Sequence, residues 1–325
     1  MSYKCCKFIR NGLNFTRTGV RFCNKLSAYH EDNIVSYSKD FYKNFIEIKR
    51  QIIEDCKNNK VPDYCKDCFY LENKEWDIED EAKITEVELF HWNQCNCACV
   101  YCGNRSETHL KITSKKCKSE FVDLYKTLKS FIKEGHFAKK VNVSFVGGEP
   151  TVLKEFNDIL KLFMKQKYKM HILTNGIIYE KLFPKFIKSG EENYITISLD
   201  CGTSEMFKKI KGVDKFNEVT NNIKKYIKNS GEKYKHLIIK YILIEGLNDN
   251  EQEIINWLNL CKSLGVGTLH PTIEFCHSVN DPDKKGPSEH ICEMYEFMKT
   301  KIKEYGFNLN TYDFVEEMVK KRSYR

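Results

Sequence analysis

From about residue 85 the chain alternates between strand-like and helix-like segments, and this alternation leaves few folds open to it. Strands are predicted at 85–92, 141–146, 170–173, 194–199, 237–244 and 268–275, where short apolar or alternating runs reach strand length. Between them, 120–134 repeats Phe121, Leu124, Tyr125, Leu128 and Phe131 at helical steps, and helices are predicted at 154–164, 178–188, 216–228, 251–264 and 289–305. Successive βα units place strands parallel, with helices on the sheet faces. Six units are fewer than the eight of a closed barrel. The expected fold class is therefore α/β: a partial (β/α)6 TIM-like barrel. Most strands run into a Gly-, Asn- or Asp-containing turn, and in such folds the turns after the strands carry the chemistry.

Alternation within two strands shows which face turns inward. Tyr194, Thr196, Ser198 and Asp200 alternate with Ile195, Ile197 and Leu199; Thr268, His270, Thr272 and Glu274 alternate with Leu269, Pro271, Ile273 and Phe275. The outer helices need the apolar sets, so the polar sets are expected to line the lumen. A lumen of hydroxyls, an imidazole and a carboxylate suits a polar ligand.

Directly after the first strand, 95–102 reads Cys-Asn-Cys-Ala-Cys-Val-Tyr-Cys. Cys95, Cys99 and Cys102 stand at C-x3-C-x2-C, so one short loop can wrap three thiolates around three corners of an iron–sulfur cube. A closed cluster takes four cysteines, and three leave one iron open to a non-protein ligand. Cys97 falls between two of them and is not expected to be a ligand. The chain has 325 residues and 15 cysteines, and no charged n-region followed by an apolar h-region. Clustered cysteines in such a chain read as metal ligands, and a cytoplasmic setting follows. A structural zinc is the plainer alternative, since zinc takes sets of four thiolates. No apolar run approaches the roughly 18 residues of a membrane span. The net charge is +8, but Lys is mixed with Asp and Glu along the whole length. A solvated surface explains that balance better than a nucleic-acid arm.

Residues 1–84 differ in character. They hold Cys5, Cys6, Cys23, Cys56, Cys65 and Cys68, a helical pattern over 38–56 (Phe41, Phe45, Ile48, Ile52, Ile53), and Gly19 placed as a hairpin turn before Cys23. The expected organisation is a small cysteine-rich module over 1–84, the partial barrel over 85–305 and an extension over 306–325, which pairs as an edge strand or frays.

Over 85–275 the motifs resemble those of the radical S-adenosylmethionine (SAM) enzymes: Cys95-Asn96-x-x-Cys99-x-Tyr101-Cys102 after the first strand, Gly147-Gly148-Glu149-Pro150 after the second and Ser198-Leu199-Asp200 at the end of the fourth. The resemblance implies a [4Fe–4S] cluster on Cys95, Cys99 and Cys102, with SAM chelating the open iron. It implies Tyr101 near the adenine, and the Gly147, Gly148, Glu149 and Pro150 turn presenting acceptors to the SAM ammonium. Ser198 and Asp200 would bond the ribose hydroxyls, Asn175 would be a further contact, and the turn at 244–248 would border the adenine. Zinc alone would not call for these turns. The N-terminal cysteines resemble the auxiliary-cluster (Twitch or SPASM-like) segments of such enzymes. Cys6-x12-Gly19-x3-Cys23, Cys65-x2-Cys68 and Glu72 carry that likeness, which implies a second iron–sulfur cluster on Cys6, Cys23, Cys65 and Cys68, with Cys5 as an alternative to Cys6.

The resemblance implies reductive cleavage of SAM to a 5′-deoxyadenosyl radical that takes hydrogen from a substrate, with flavodoxin or ferredoxin as electron donor. The polar lumen favours a small carbohydrate-like or nucleotide-linked substrate, with His270 and Glu274 as catalytic candidates that orient hydroxyls or an amine and move a proton. The alternatives are a peptide- or protein-modifying maturase, an RNA-modifying enzyme and a non-catalytic electron carrier. The last would need no SAM pocket. Cys56, Cys117, Cys201, Cys261 and Cys292 read as small buried hydrophobes, and Cys276 is left without a role.

Overall fold

The structure, a computed structural model, describes residues 2–23, 34–38, 40–66, 68, 70–76, 83–102, 123–274 and 286–323. Cys117 and Cys276 lie outside the described residues. The chain divides into two compact units: residues 1–93, 110–148 and 155–170 form the first, and 94–109, 149–154 and 171–325 the second.

In the first unit β1 (Ser2–Cys5) leads into a one-turn helix, α1 (Lys7–Asn11), whose N-terminus is capped by the Cys6 sulfur accepting from the Ile9 N–H. β2 (Gly12–Phe15) and β3 (Gly19–Arg21) form the expected hairpin, and the Thr16 hydroxyl closes the turn on the Gly19 carbonyl at 2.8 Å. β4 (Val35–Ser36) adds antiparallel to β3. α2 (Phe41–Lys57) buries Phe41, Phe45, Lys49, Ile53 and Cys56, one stripe at helical spacing. Ile48, expected in that stripe, is exposed, and Lys49 takes the buried place by donating to the Gly12 carbonyl at 3.2 Å. β5 (Glu72–Glu75) pairs antiparallel with β1. β6 (Ile84–Leu89) lies between β2 and β7 (Phe137–Phe145), parallel to both. The N-terminal segment is thus continuous with the sheet through β2. α3 (Leu124–Lys133) is capped by Asp123, and α4 (Phe156–Gln166) buries Phe156, Ile159, Leu160 and Phe163.

The second unit takes up the chain within β8 (Lys169–Thr174). α5 (Phe183–Lys188), β9 (Tyr194–Ser198), α6 (Ser204–Lys211) and α7 (Phe216–Ser230) follow, then β10 (Leu237–Leu243), α8 (Glu251–Leu264), β11 (Thr268–Ile273), α9 (Glu289–Glu304), β12 (Asn308–Leu309) and α10 (Asp313–Ser323). β8 to β12 pair in chain order, all parallel. The extension expected to be an edge strand or a frayed end is therefore a two-residue strand and a helix.

α5 is shorter than its pattern predicts. Residues 177–182 make other hydrogen bonds: Asn222 of α7 donates to the carbonyls of Gly176 and Ile177, and the Tyr226 hydroxyl accepts from the Glu180 N–H at 2.7 Å. Pro184, in the first turn, then sets the helix start.

Strand register fixes the polar face. Ser198 pairs with Lys240 and Lys240 with His270, while Ile242 pairs with Thr272. Thr196, Ser198, Lys240, His270 and Thr272 thus share one side of this sheet, and Ile195, Ile197, Tyr241, Leu243, Leu269 and Ile273 share the other. Among the described residues no helix is long and apolar enough to cross a membrane.

Candidate active site

The cysteine loop is fastened within the second unit from two sides. The C-terminal end of α6 meets it with open carbonyls: Lys211 O accepts the Ala98 N–H at 2.7 Å and Ile210 O accepts the Val100 N–H at 2.9 Å. A helix leaves its last carbonyls without intrahelical donors, so the loop satisfies them. Gly212 follows at φ 67°, and a Cβ there would lie 2.7 Å from that of Ala98. Only glycine lets the helix end and the loop come this close. On the other side Asn175, just past β8, donates from Nδ2 to Asn96 Oδ1 at 2.6 Å and faces the Cys95 sulfur at 3.8 Å.

Within the loop Cys95 is exposed, Cys99 and Cys102 are half-buried and Cys97 is buried. The Cys97 thiol is hydrogen-bonded to both neighbours, which above all other causes draws Cys95 down to about 7 and Cys99 to about 6. Burial opposes both shifts, and the Lys211 charge adds to the second. Metal binding requires thiolates, so these donors fit the iron–sulfur group that the spacing calls for.

The predicted turns are divided between the two units. Gly147 and Gly148 belong to the first unit. Gly147 adopts φ 113°, with the space for a Cβ filled by Phe90 and the Trp92 carbonyl, and the Gly148 N–H reaches that carbonyl at 3.1 Å. Glu149 and Pro150 belong to the second. The Glu149 N–H donates to the Gln94 carbonyl at 2.8 Å. Its carboxylate is 2 % exposed and accepts from the Thr151 N–H, Thr151 Oγ1 and Thr174 Oγ1 on Oε1, and from the Asn175 N–H on Oε2. Burial pushes its pKa up, against those four donors. A carboxylate offers about four acceptor positions, and three of the donors crowd Oε1, leaving room at Oε2.

Asp200 adopts φ 60° and is fully buried. Its Oδ1 accepts from the Ile242 N–H at 2.9 Å; its Oδ2 accepts from the Tyr101 hydroxyl at 2.6 Å and pairs with the Lys211 ammonium. Asn248 donates to the Asp200 carbonyl at 2.9 Å and so holds the left-handed turn. Both carboxylate oxygens therefore face protein donors, and the Tyr101 hydroxyl is spent on the same group. Burial alone would push Lys211 down, but the charges of Asp200 and Cys99 outweigh it and hold the ammonium above its ordinary value. Ser198 is half-buried on β9.

Of the two catalytic candidates, His270 is 2 % exposed and stands edge-on to Tyr312 at 4.2 Å. Burial pushes it down to about 3, helped by the charges of Lys240 and His171, so it is neutral near pH 7. Its Nε2 and the Thr272 hydroxyl are buried without a hydrogen-bond partner among the described residues. Glu274 is half-buried just beyond β11, its N–H donating to the Leu243 carbonyl at 2.9 Å. His171, on β8, bonds Thr196 Oγ1 at 2.7 Å and is pushed down to about 4, again chiefly by burial.

In the first unit Cys6, Cys23, Cys65 and Cys68 line one cavity, walled by Phe8, Ile9 and Phe22 among other apolar groups. Cys5 turns elsewhere, to a buried thiol–thiol hydrogen bond with Cys56. Burial pushes Cys6 up to about 11 and Cys65 to about 12, the reverse of Cys95 and Cys99. Glu72 sits exposed on β5, paired with Lys74. Among the described residues no three His, Cys, Asp or Glu side chains are gathered closely enough to hold a single metal ion.

Residue types alone did not reveal the parts played by Lys211, Asn96, Thr174 and Asn248. Only the Lys211–Gly212 pair carried a signal, that of a helix ending in a basic residue and a glycine.

The sequence model of the Radical SAM superfamily matches residues 89–258, just over half of the chain, and begins beyond the N-terminal cysteines. An uncharacterized protein of Methanocaldococcus jannaschii is 27 % identical over 67 % of this chain and 66 % of its own length. A probable GTP 3′,8-cyclase of the same organism is 26 % identical over 74 % of this chain and 68 % of its own. The GTP 3′,8-cyclase of Vibrio parahaemolyticus is 29 % identical over 54 % and 51 %. The matched part of the chain thus spans between about half and about two thirds of these relatives' lengths. Among solved structures, Streptococcus suis SuiB bound to S-adenosylmethionine superposes with a TM-score of 0.53 at 16 % identity, over 85 % of this chain and 57 % of SuiB. SuiB bound to its precursor peptide SuiA gives the same score over 87 % of this chain and 57 % of its own. At this identity the likeness is one of fold.

Proposed function

The chain belongs to the radical SAM superfamily and is an enzyme; from that premise we propose that it abstracts hydrogen from a small polar substrate of the nucleotide-linked or carbohydrate-like class. The family uses a [4Fe–4S] cluster and SAM, which together supply reductive carbon–sulfur cleavage and a 5′-deoxyadenosyl radical. Cys95, Cys99 and Cys102 hold the cluster, fixed by Asn175 and the end of α6. Within the same unit, the open side of Glu149 Oε2 would accept the SAM ammonium, and Ser198 would bond the ribose.

The observation that carries the substrate class is the polar row on β9, β10 and β11. Two buried polar atoms there, His270 Nε2 and Thr272 Oγ1, have no hydrogen-bond partner among the described residues. Buried polar groups are expensive to leave unbonded, so atoms of this kind call for a polar ligand or ordered water. Neutral His270 can donate to a substrate hydroxyl or accept from it, and Glu274 stands at the end of the same strand as the second polar contact. The GTP 3′,8-cyclase relatives favour a nucleotide-bearing substrate; the peptide alternative rests on fold likeness alone.

Cys6, Cys23, Cys65 and Cys68 hold a second, auxiliary iron–sulfur cluster in their common cavity. Cys6 rather than Cys5 is the ligand, because Cys5 is engaged with Cys56. A cytoplasmic setting with a flavodoxin or ferredoxin as electron donor belongs to the same proposal. The test is anaerobic turnover with separate panels of nucleotides, sugars and peptides, reading 5′-deoxyadenosine. Stimulation over the substrate-free rate by a nucleotide or sugar is expected. Stimulation confined to peptides would overturn the substrate class.

A further inference from the structure

We propose that Lys211 sets the reduction potential of the cluster carried by Cys95, Cys99 and Cys102, with Tyr101 and Asp200 holding its ammonium in place and the Asp200 charge opposing it. This rests on the reading of that loop as the cluster site.

The lysine is 1 % exposed, and its ammonium donates to the Tyr101 hydroxyl at 2.8 Å while pairing with Asp200, itself fully buried. Its own backbone carbonyl accepts from Ala98, and the next residue, Gly212, packs on Ala98. Main chain, glycine contact and side chain thus tie this one residue to the loop that bears the ligands. Its ammonium lies 5.2 Å from the centre of the Tyr101 ring, the residue next to Cys102.

The electrostatics need such a cation. Reduction adds a negative charge to a cluster already ringed by thiolates. The C-terminal end of α6, which abuts the loop, brings the negative pole of a helix, roughly half a charge. Asp200 adds a buried carboxylate. All three disfavour the reduced state. Lys211 is a buried cation tied to this loop, and burial keeps its field from being screened by solvent and salt. Charge near a cluster is one of the levers that set its potential. Asp200, whose two oxygens are taken by Ile242, Tyr101 and Lys211, fixes where the ammonium sits. Lys211 is thus a positioning and tuning residue, one that touches neither SAM nor substrate.

The test measures iron and sulfide content and the midpoint potential of the SAM-site cluster, by anaerobic redox titration followed by electron paramagnetic resonance. The proteins are wild type, Lys211→Met, Asp200→Asn and the double variant. Removing the lysine charge should move the potential to more negative values. Removing the aspartate charge should move it to more positive values, and the double variant should return close to wild type. Should Lys211→Met not accumulate because Asp200 is left buried and unpaired, Asp200→Asn and the double variant carry the test alone. They differ only in the lysine, and the former must have the higher potential. Equal potentials in those two proteins, each with full iron content, overturn the proposal. Loss of cluster that the double variant repairs with no change of potential overturns it too, and leaves a purely structural role. A wild-type protein without cluster after reconstitution refutes instead the reading of the loop.

Discussion

Asn175 Nδ2 donates to the side-chain oxygen of Asn96 at 2.6 Å, joining the end of β8 to the second residue of the cysteine loop. The same amide group faces the Cys95 sulfur, and Asn175 Oδ1 accepts from the Ile177 N–H at 3.0 Å. One side chain thus faces Cys95 and closes its own turn. Asn175→Leu removes all of these bonds at once. Each lost bond costs about 0.5–1.5 kcal/mol, more where a buried partner is left unbonded. Iron bound per chain should fall and the SAM dissociation constant should rise by about tenfold, the equivalent of roughly 1.4 kcal/mol. Full iron content with unchanged SAM affinity would show that the loop holds its shape without this bond.

Glu149 tests the second anchor. Glu149→Gln sets an NH2 group against either the Asn175 N–H or the donors of Thr151 and Thr174, because the carboxylate accepts on both oxygens. A buried donor left unbonded costs about 1–3 kcal/mol. Thermal unfolding should come a few degrees lower and SAM binding should weaken. If melting and SAM affinity both match wild type, the turn does not depend on the carboxylate.

Much of this architecture was legible in the chain. Six strands and most of the helices follow from periodicity, because apolar faces must be buried and strand alternation fixes which side faces inward. The cysteine loop was visible from its spacing alone. α6 escaped notice because eight residues with only Phe207 and Ile210 as apolar anchors give too weak a period. Lys211 escaped with it, since a lysine in a Lys-rich chain carries no sign that it is buried. Asp200 and Asn175 were expected to face a ligand, and the bonds of their side chains within the protein were not foreseen. Two of those partners, Tyr101 and Asn96, lie far along the sequence, and only the fold brings them together. Glu180 and Leu182 were expected within a helix. The Tyr226 hydroxyl takes the Glu180 N–H, a tertiary bond that no local pattern signals.

The auxiliary site makes its own prediction. A variant with Cys95, Cys99 and Cys102 all replaced by Ala should keep an iron–sulfur absorption band and about half of the iron. Further replacement of Cys65 and Cys68, which line the N-terminal cavity with Cys6 and Cys23, should remove it. A colourless triple variant that binds zinc would assign the N-terminal site to a structural metal.

The buried His270 predicts an acid limit to stability. Its folded pKa, about 3, lies below its ordinary value of 6.5. Between these values the unfolded chain binds the proton and the folded chain does not, so stability is complete above about pH 6.5 and falls as pH drops towards 3. His270→Asn should flatten part of that fall in chemical denaturation between pH 4 and 7. An unchanged slope would mean that the folded protein protonates the imidazole without penalty.

The central claim is that Cys95, Cys99 and Cys102 carry a cluster that cleaves SAM. The direct measurement is 5′-deoxyadenosine formed by anaerobically reconstituted protein with SAM and dithionite, in wild type, Cys99→Ala and Cys97→Ala. The account predicts product from wild type, none from Cys99→Ala, and retained product from Cys97→Ala, whose buried thiol is hydrogen-bonded to its neighbours. No product from a fully iron-loaded wild type, or equal loss in both variants, would contradict it.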